Sequence, residues 1–321
     1  MTEAAVGDVE LSVVVPVYKE EGSIPEYLSQ IVPILESCVS SFEIIFSVDP
    51  SPDGTERVIA EAVAVDSRIR AIVFSRRFGQ PTATLAGIDV ARGRAVVVMD
   101  VDLQDPPELI IEMVAKWREG FEVVYAQRRT RKGETLIKRT VANVGYRVID
   151  RFGEVPIPRN TGDFRLLDRV VVDHLKQFPE AHGFLRGLVA LVGFDQVAIE
   201  FDRPERFAGK GNYNRFFGSL RIGFNGLVGF SSALLNLSTI LGLVAAVVAV
   251  LVAFAYGMAK ILGVGFPLGN TTIVVIVLLL GGMQLVCLGI AGQYIGRIYD
   301  EVKRRPRYIV SRTIGSDGES S

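Results

Sequence analysis

Two long apolar segments in the last third of the chain constrain its fold more than any other feature. They cover roughly residues 230–258 and 267–295, and Lys260 is the only charged residue between Arg221 and Arg297. Each segment exceeds the about 20 residues that an α-helix needs to cross a bilayer. We therefore expect a transmembrane hairpin of two helices over 230–296, since soluble helices rarely run so long without charge. A buried hairpin in a soluble protein is the alternative.

Basic residues flank the hairpin on both sides, whereas its connecting loop has only Lys260 nearby. By the positive-inside rule, both ends of the hairpin then face the cytoplasm. The acidic N-terminus lacks the basic and apolar leader of a cleaved signal peptide. We therefore expect a multi-pass protein of the inner cell membrane with a large cytoplasmic N-terminal domain. The net charge of −1 gives no sign of nucleic-acid binding. The flanking cations are Arg203, Arg206, Lys210, Arg215 and Arg221 before the hairpin and Arg297, Lys303, Arg304, Arg305, Arg307 and Arg312 after it.

Short apolar runs alternate with helical patterns over the first 126 residues. This alternation predicts an α/β domain with a doubly wound, mostly parallel sheet. Ser23 and Glu26 fit a capping box at the start of the first helix. In such sheets, ligands bind at the carboxyl ends of the strands. Strands are expected at 11–15, 43–46, 71–74, 95–99 and 122–126.

Three acidic loops, 16–20, 49–53 and 100–105, fall at those carboxyl ends. In an extended chain alternate side chains share a face, so Asp100 and Asp102 are expected to point the same way. Gln104 joins them if the extension persists. Carboxylate and amide oxygens are hard ligands that suit Mg²⁺ or Mn²⁺. Solvated acids at a strand end are the alternative, and the convergence of three acidic loops favours the metal.

Several motifs resemble a known family. They are Ser-Val-Val-Val-Pro-Val-Tyr-Lys-Glu-Glu at 12–21, Asp-Gly-Thr at 53–55 and Asp-Val-Asp-Leu-Gln-Asp-Pro-Pro-Glu at 100–108, with support from 75–79, 161–166 and 206–213. Together they resemble family 2 glycosyltransferases of the GT-A fold. The similarity is closer to the polyisoprenyl-phosphate glycosyltransferases, which include bactoprenol glucosyltransferases and dolichol-phosphate mannose synthases. It covers about residues 10–305, and the hairpin matches the bactoprenol branch. We accordingly divide the chain into a GT-A domain (1–212), an interfacial amphipathic helix (213–229), two transmembrane helices (230–296) and a basic cytoplasmic tail (297–321).

The resemblance implies an inverting transfer of a hexose to polyprenyl (undecaprenyl) phosphate at the cytoplasmic leaflet. The product would be a lipid-linked sugar for modifying cell-envelope glycans. UDP-glucose is the first choice of donor, and UDP-aminoarabinose, UDP-galactose, UDP-GlcNAc and GDP-mannose are the alternatives. A homo-oligomer is also expected, because Gly281, Gly282, Gly289 and Gly292 suit close helix packing. Carried over by position, the nucleotide sugar would be bound by Pro16, Tyr18, Glu20, Asp49, Asp53, Asp100, Val101 and Lys210, the metal by Asp100, Asp102 and Gln104, and the phosphates by Arg128 and Arg206, with Asp163 at the reaction centre.

The role of Asp163 follows from the chemistry that the resemblance implies. A phosphate monoester has its second pKa at about 6, so the acceptor is already mostly a dianion at neutral pH. A general base is then hardly required, and we interpret Asp163 as an orienting or electrostatic residue. A base and an N-terminal helix cap are the alternatives. For Arg128, the alternative is a solvated basic loop.

The chain departs from the family pattern in three places. Lys19 stands where Asn is usual, and residues 48–51 read Val-Asp-Pro-Ser in place of Asp-Asp-Gly-Ser. Residues 209–212 read Gly-Lys-Gly-Asn in place of Gly-x-Ser-Lys, so Lys210 would have to supply the missing cation. Two other classes stay open. A polymer synthase would need more spans and a Gln-x-x-Arg-Trp motif, and a non-catalytic membrane module would bind nucleotide sugars without transfer.

Overall fold

The computed structural model describes residues 9–129, 158, 161–178, 185–202, 233–262 and 270–315. These residues belong to two compact units. The first contains the described residues up to 202 together with 305–315, and the second contains 233–262 and 270–304. The expected interfacial helix at 213–229, Arg206 and Lys210 lie outside the described residues.

The first unit is an α/β domain built on one eight-stranded sheet. Its strands are β1 (Leu11–Val17), β2 (Phe42–Val48), β3 (Ile69–Phe74), β4 (Ala95–Val98), β5 (Val123–Arg128), β6 (Thr161–Asp168), β7 (Gln196–Phe201) and β8 (Val310–Ile314). Its helices are α1 (Ile24–Cys38), α2 (Thr55–Val65), α3 (Gln80–Val90), α4 (Leu109–Arg118), α5 (Arg169–Gln177) and α6 (Leu185–Val192).

The strand order is β7-β5-β6-β4-β1-β2-β3-β8. The pairs β1–β2, β1–β4, β2–β3 and β5–β7 are parallel. Only β6 and β8 run against their neighbours. The mostly parallel sheet predicted from the alternating pattern is therefore confirmed. Two features were not predicted, namely the insertion of β6 between β4 and β5 and the addition of β8 at the edge beside β3.

Helices cover both faces of the sheet. Val13 and Val15 of β1 belong to the main core cluster, which also holds Ile24 of α1 and Met113 of α4. Side chains alternate along a strand, so the residue between these valines faces α3 on the other side. There Gly87 approaches so closely that an added Cβ would lie 2.3 Å from Cγ1 of Val14. This confirms the doubly wound arrangement.

The first helix begins where the capping-box pattern places it, but it is not capped as predicted. Helix α1 starts at Ile24, and the Ser23 side chain makes no capping hydrogen bond. The Ser23 hydroxyl instead donates to Oε2 of Glu20 at 2.8 Å. The Ser23 hydroxyl therefore bonds to the acidic loop before the helix and does not cap the helix.

A buried polar network joins the amino ends of the first strands, opposite the edge that carries the predicted site. Glu43 of β2 accepts hydrogen bonds from the Ser12 hydroxyl (2.6 Å), the Arg92 backbone N–H (2.8 Å) and Arg70 Nε (2.8 Å). The Arg70–Glu43 pair is nearly excluded from solvent. Burial alone would raise the pKa of Glu43, but Arg70 and the other donors hold it below its ordinary value. The carboxylate is thus ionised at neutral pH.

We expect Glu43→Gln to lower the free energy of unfolding by about 3 kcal/mol, because it leaves Arg70 buried without its counter-charge. A depressed folded-state pKa means that the contribution is present above the unfolded pKa of about 4.3 and is lost as the pH falls through the folded value. The difference between wild type and variant should therefore shrink below about pH 4. Thermal unfolding from pH 3 to 8 measures this. The control is Glu61→Gln, which breaks an exposed pair with Arg57 and should leave the unfolding midpoint unchanged. A stability difference between wild type and Glu43→Gln that stays constant from pH 3 to 8 would contradict this role of Glu43.

The second unit consists of α7 (Ala233–Ile261) and α8 (Asn270–Val302). The stretches Leu235–Ala255 and Leu279–Val302 are long and apolar enough to cross a membrane. Large apolar side chains such as Phe254 and Leu285 are mostly exposed, which is unfavourable in water. The two predicted apolar helices are therefore present. The connecting turn predicted before Asn270 lies outside the described residues.

The four glycines expected to allow close packing do not contact the other described helix of the hairpin. Among the described residues, nothing lies within 4 Å of a Cβ added at any of the four glycines named above. The helices instead meet where the Cys287 thiol donates to the Ser238 carbonyl at 3.6 Å. Packing within the hairpin therefore gives no support to the predicted oligomer.

Candidate active site

The carboxyl ends of β1, β2 and β4 lie side by side at one edge of the sheet. The loop between β3 and α3, residues 75–79, is tied to the end of β2. Both Asp49 carboxylate oxygens accept backbone N–H groups, from Phe78 and Gly79, each at 2.8 Å. Asp49 is nearly fully buried. Its carboxylate thus holds this loop in place, and its predicted contact with a nucleoside stays a prediction.

The same loop reaches two other predicted site residues. The Arg77 guanidinium lies 3.8 Å from the centre of the Tyr18 ring, after β1. Gln80, the first residue of α3, donates from Nε2 to Oδ1 of Asp100 at 2.8 Å, after β4. Residues 77–80 therefore contact one side chain from each of the three predicted loops, namely Tyr18, Asp49 and Asp100. The three loops lie close together, as predicted.

The geometry of the Asp100–Gln104 segment differs from the extended one that was expected. Strand β4 ends at Val98, residues 101 and 102 form a turn, and Leu103 has a φ of 55°. A left-handed leucine costs about 1–2 kcal/mol, so its surroundings must enforce it. Leu103 is buried in the main core cluster, and this burial draws the chain out of extension. The prediction of an extended backbone from Asp100 to Gln104 is therefore wrong.

Asp100 and Asp102 nevertheless suit a divalent cation. Asp102 is 8 % exposed and accepts the Gln104 backbone N–H at 3.2 Å, whereas Asp100 is half-buried. No group of three or more His, Cys, Asp or Glu side chains that could hold a metal occurs within the described ranges. A cation here would thus have few protein ligands, as is usual for Mg²⁺ that also binds a substrate diphosphate. The donor set fits this use.

The other predicted nucleotide-binding residues lie around the same edge. Glu20 accepts from Ser23, and the exposed Asp53 accepts the Thr55 hydroxyl at 2.8 Å. Pro16 is buried within β1, and Val101 is buried in the core. Little of the surface of these two buried residues is open to a ligand, so their side chains support the neighbouring loops.

Lys19 has a φ of 60°, in the left-handed region. Asparagine is several-fold enriched there relative to other side chains, which explains why the related pattern has Asn at this position. We expect Lys19→Asn to raise the free energy of unfolding by about 0.5–1 kcal/mol. Thermal unfolding measures this, with Lys19→Val as the matched control that should lower stability. A variant Lys19→Asn less stable than wild type would contradict the assignment.

A second charged group lies at the ends of β5 and β6. Arg128 of β5 pairs with the buried Asp105 at 3.6 Å, so it is attached to the segment that follows β4. Asp163 of β6 accepts from Nε of Arg186 at 2.9 Å. Because Asp163 lies inside a strand, its alternative role as a helix cap is wrong. Asp168 is the cap, and it accepts the backbone N–H of Val170 in α5.

Three guanidinium groups act on the Asp163 carboxylate. Burial alone would raise the pKa of Asp163, but the charges of Arg186, Arg165 and Arg128 hold it below its ordinary value. Burial lowers the pKa of Arg165 to about 10, so this residue is still a cation at neutral pH. Asp163 is therefore ionised where a cell operates, which favours the electrostatic interpretation over that of a base near neutral pH.

Arg186 and Gln80 were missed by the sequence analysis. Arg186 is the second residue of α6 and lies 23 positions from its partner, and Gln80 lies 20 positions from Asp100. Neither has a local motif that indicates a charged or metal-binding partner. The run Phe-Leu-Arg-Gly-Leu at 184–188 offers the one signal, a lone arginine in an apolar setting.

The fold agrees with the comparison to known protein families. The model of the protein family described as Glycosyl transferase family 2 matches residues 12–176 of this chain. The chain belongs to this family and is a glycosyltransferase of the GT-A fold.

Relatives match over nearly the full length of the chain. An uncharacterized glycosyltransferase, YkcC of Bacillus subtilis, is 42% identical over 97% of this chain and 96% of its own. A prophage-derived bactoprenol glucosyl transferase of Shigella flexneri is 37% identical over 95% of this chain and 98% of its own. Among solved structures, glucosyl-3-phosphoglycerate synthase from Mycobacterium tuberculosis, in complex with Mn²⁺, UDP and its product, is 19% identical. It covers 71% of this chain and 85% of its own, with a TM-score of 0.47.

Proposed function

We propose that this glycosyltransferase moves a hexose, with glucose from UDP-glucose as the first candidate, to polyprenyl phosphate at the cytoplasmic membrane surface. The observation that carries the proposal is the full-length similarity to relatives named bactoprenol glucosyl transferase. The two apolar helices support it, because a polyprenyl chain lies in the bilayer. So does the presence of both aspartates of the 100–108 motif at the site.

The order of elements along the chain bears on the side of the membrane where the sheet lies. Strand β7 precedes the two apolar helices and β8 follows them, yet both belong to the same sheet. If both helices cross the bilayer, the two ends of the hairpin must therefore lie on the same side. The basic residues after α8 support the cytoplasm as that side, by the positive-inside rule. On this basis we propose a multi-pass protein of the inner membrane, whereas the homo-oligomer is a proposal from the sequence alone.

The site residues divide the work of the reaction. Tyr18, Glu20, Asp49 and Asp53 are proposed to bind the nucleoside end of the donor, with Pro16 and Val101 beneath it and Lys210 beside it. Asp100 and Asp102, with Gln104, would hold Mg²⁺ or Mn²⁺, which when bound supplies positive charge next to the diphosphate. Arg128 and Arg206 would contact phosphate oxygens, for which the planar guanidinium fork is well suited.

The bond changes need no proton transfer. A phosphate oxygen of the acceptor attacks the anomeric carbon as the bond to the β-phosphate oxygen breaks, and one displacement of this kind inverts the anomeric centre. Negative charge grows on the leaving diphosphate, where preorganised positive groups stabilise it in the transition state. The acceptor phosphate is already a dianion above its second pKa of about 6. Asp163, held ionised, would orient the reacting groups.

A panel of nucleotide sugars with polyprenyl phosphate, with and without Mn²⁺, tests the proposal. We expect release of nucleoside diphosphate that requires both the lipid phosphate and a divalent cation, with UDP-glucose the best donor. A polymer synthase would release nucleoside diphosphate and extend a glycan without the lipid phosphate. A binding module would release none, and either outcome would refute the proposal.

A further inference from the structure

We propose that Arg186 is a positioning residue for the transfer reaction, which fixes the Asp163 carboxylate and offsets its charge so that the acceptor phosphate can approach. This inference rests on the proposed function, because it takes the acceptor to be a phosphate that reaches Asp163. It adds a residue and a role that the 100–108 and 161–166 motifs do not contain.

The geometry places Arg186 firmly beside Asp163. Its Nε atom donates to Oδ1 of Asp163 at 2.9 Å, and the two side chains are 28% and 30% exposed. On α6, the neighbours Leu185, Leu188 and Val189 are buried, so the helix is anchored by its apolar face. A half-buried pair on two anchored elements loses little side-chain freedom, unlike a flexible surface salt bridge. It can therefore act as a fixed electrostatic unit.

The charges around Asp163 leave a surplus that suits an anion. Three guanidinium groups, of Arg128, Arg165 and Arg186, act on this carboxylate, and Asp105 pairs with the first of them. Among these five described side chains, three positive charges therefore face two negative ones. Arg128 and Arg165 each keep a buried Nε–H for which no hydrogen-bond acceptor exists within the described ranges. Buried donors of this kind are rare in folded proteins, and an arriving phosphate would remove the excess charge.

Removal of Arg186 cancels this excess, because two guanidinium groups and two carboxylates then remain. The Asp163 carboxylate is less fully offset and repels a phosphate dianion more strongly, and the repulsion acts on the acceptor more than on a donor whose diphosphate is proposed to lie near Asp100 and Asp102. The affinity for acceptor should fall while the affinity for donor is retained. A purely structural role for the pair would instead change both affinities through a general loosening of the fold.

The test compares Arg186→Gln, Arg186→Lys and the matched control Arg68→Gln in the full-length protein in detergent. Arg68 also bridges carboxylates, those of Asp66 and Glu36, but in a loop at the other edge of the sheet. We expect Arg186→Gln to raise the KM for polyprenyl phosphate about tenfold, equivalent to about 1.4 kcal/mol, with the donor KM changed by less than about twofold. Arg186→Lys keeps the charge and should recover most of the affinity. Arg68→Gln should match wild type in both constants.

A double-mutant cycle distinguishes two roles for Arg186: offsetting the charge of Asp163, or binding the acceptor phosphate directly. Titration calorimetry with a short-chain prenyl phosphate is applied to Arg186→Gln, Asp163→Asn and the double variant, so that inactive proteins still report. If Arg186 offsets Asp163, its loss should cost much less affinity once the carboxylate is gone. Equal losses with and without the carboxylate would overturn the inference, and so would unchanged acceptor constants in Arg186→Gln. A wild-type protein that transfers sugar to no prenyl phosphate would refute the proposed function itself, which is a separate result.

Discussion

Asp102→Asn is expected to abolish sugar transfer while the protein stays folded and inserted in the membrane. The amide removes a negative charge and leaves a weaker ligand for a divalent cation. The positive charge that a bound cation would place beside the leaving diphosphate is then lost, and we expect kcat/KM to fall by about 10³-fold or more. The fold is retained because an amide oxygen can still accept the Gln104 backbone N–H that Asp102 accepts now. Initial rates with UDP-glucose and polyprenyl phosphate measure the loss.

Asp173→Asn is the matched control for this variant. Asp173 lies on α5, its side chain is mostly exposed, and it pairs with Arg169 at 3.7 Å. It should retain full activity. Both variants should share the wild-type unfolding midpoint and membrane fraction. Full activity in Asp102→Asn would overturn the metal assignment, because no third carboxyl group gathers beside it within the described residues.

Asp163→Asn is expected to lower kcat by about 10²–10³-fold without changing the shape of the pH–rate profile. The carboxylate is surrounded by three arginines, so its loss leaves buried positive charge and disorders the reacting groups. The pKa of Asp163 lies below its ordinary value of about 3.9, and the group is thus ionised throughout pH 5–9. An acid limb at about pH 6 would then belong to the acceptor phosphate, and the variant should keep it.

Rates of wild type and Asp163→Asn from pH 5 to 9 decide between the roles of this residue. A general base supplies its own acid limb, which disappears when the base is removed. Loss of the limb in the variant would therefore assign Asp163 as the base and refute the electrostatic interpretation. Asp163→Glu serves as the control, since it keeps the negative charge on a side chain one methylene longer and should retain more activity than the amide.

Much of the fold could be predicted because each strand carries its own signal. β1, β2, β3, β4 and β5 are short apolar runs that were located to within a few residues. The acidic residues were also assigned to the correct edge, because the carboxyl ends of parallel strands share one edge. Local pattern and tertiary structure agree in this half of the chain.

The features of the fold that were not predicted are contacts between residues distant in sequence. The position of β6 between β4 and β5 depends on pairing across a long insertion, and β8 pairs with β3 from more than two hundred residues away. Neither strand has a sequence signal that names its neighbour. The basic region after residue 297 was treated as a tail for this reason, although it supplies the strand at the sheet edge.

The details of the site also depend on tertiary packing. Leu103 is buried in a left-handed conformation that no strand pattern indicates, so the extended backbone expected for residues 100–104 is not present. Asp49 satisfies two backbone N–H groups of a loop some 30 residues away. The pairing of Asp163 with Arg186 likewise arises only when α6 packs beside β6. Residue type and strand end could be predicted, whereas side-chain partners could not.

The most direct test of the account is the mass of the lipid product made by the wild-type protein in bilayers that contain polyprenyl phosphate. With UDP-glucose and Mn²⁺, we expect the extracted polyprenyl phosphate to gain the mass of one hexose. The gain should disappear when the cation is chelated and return when Mn²⁺ is restored. A lipid of unchanged mass under all these conditions, with every donor of the panel, would contradict the account.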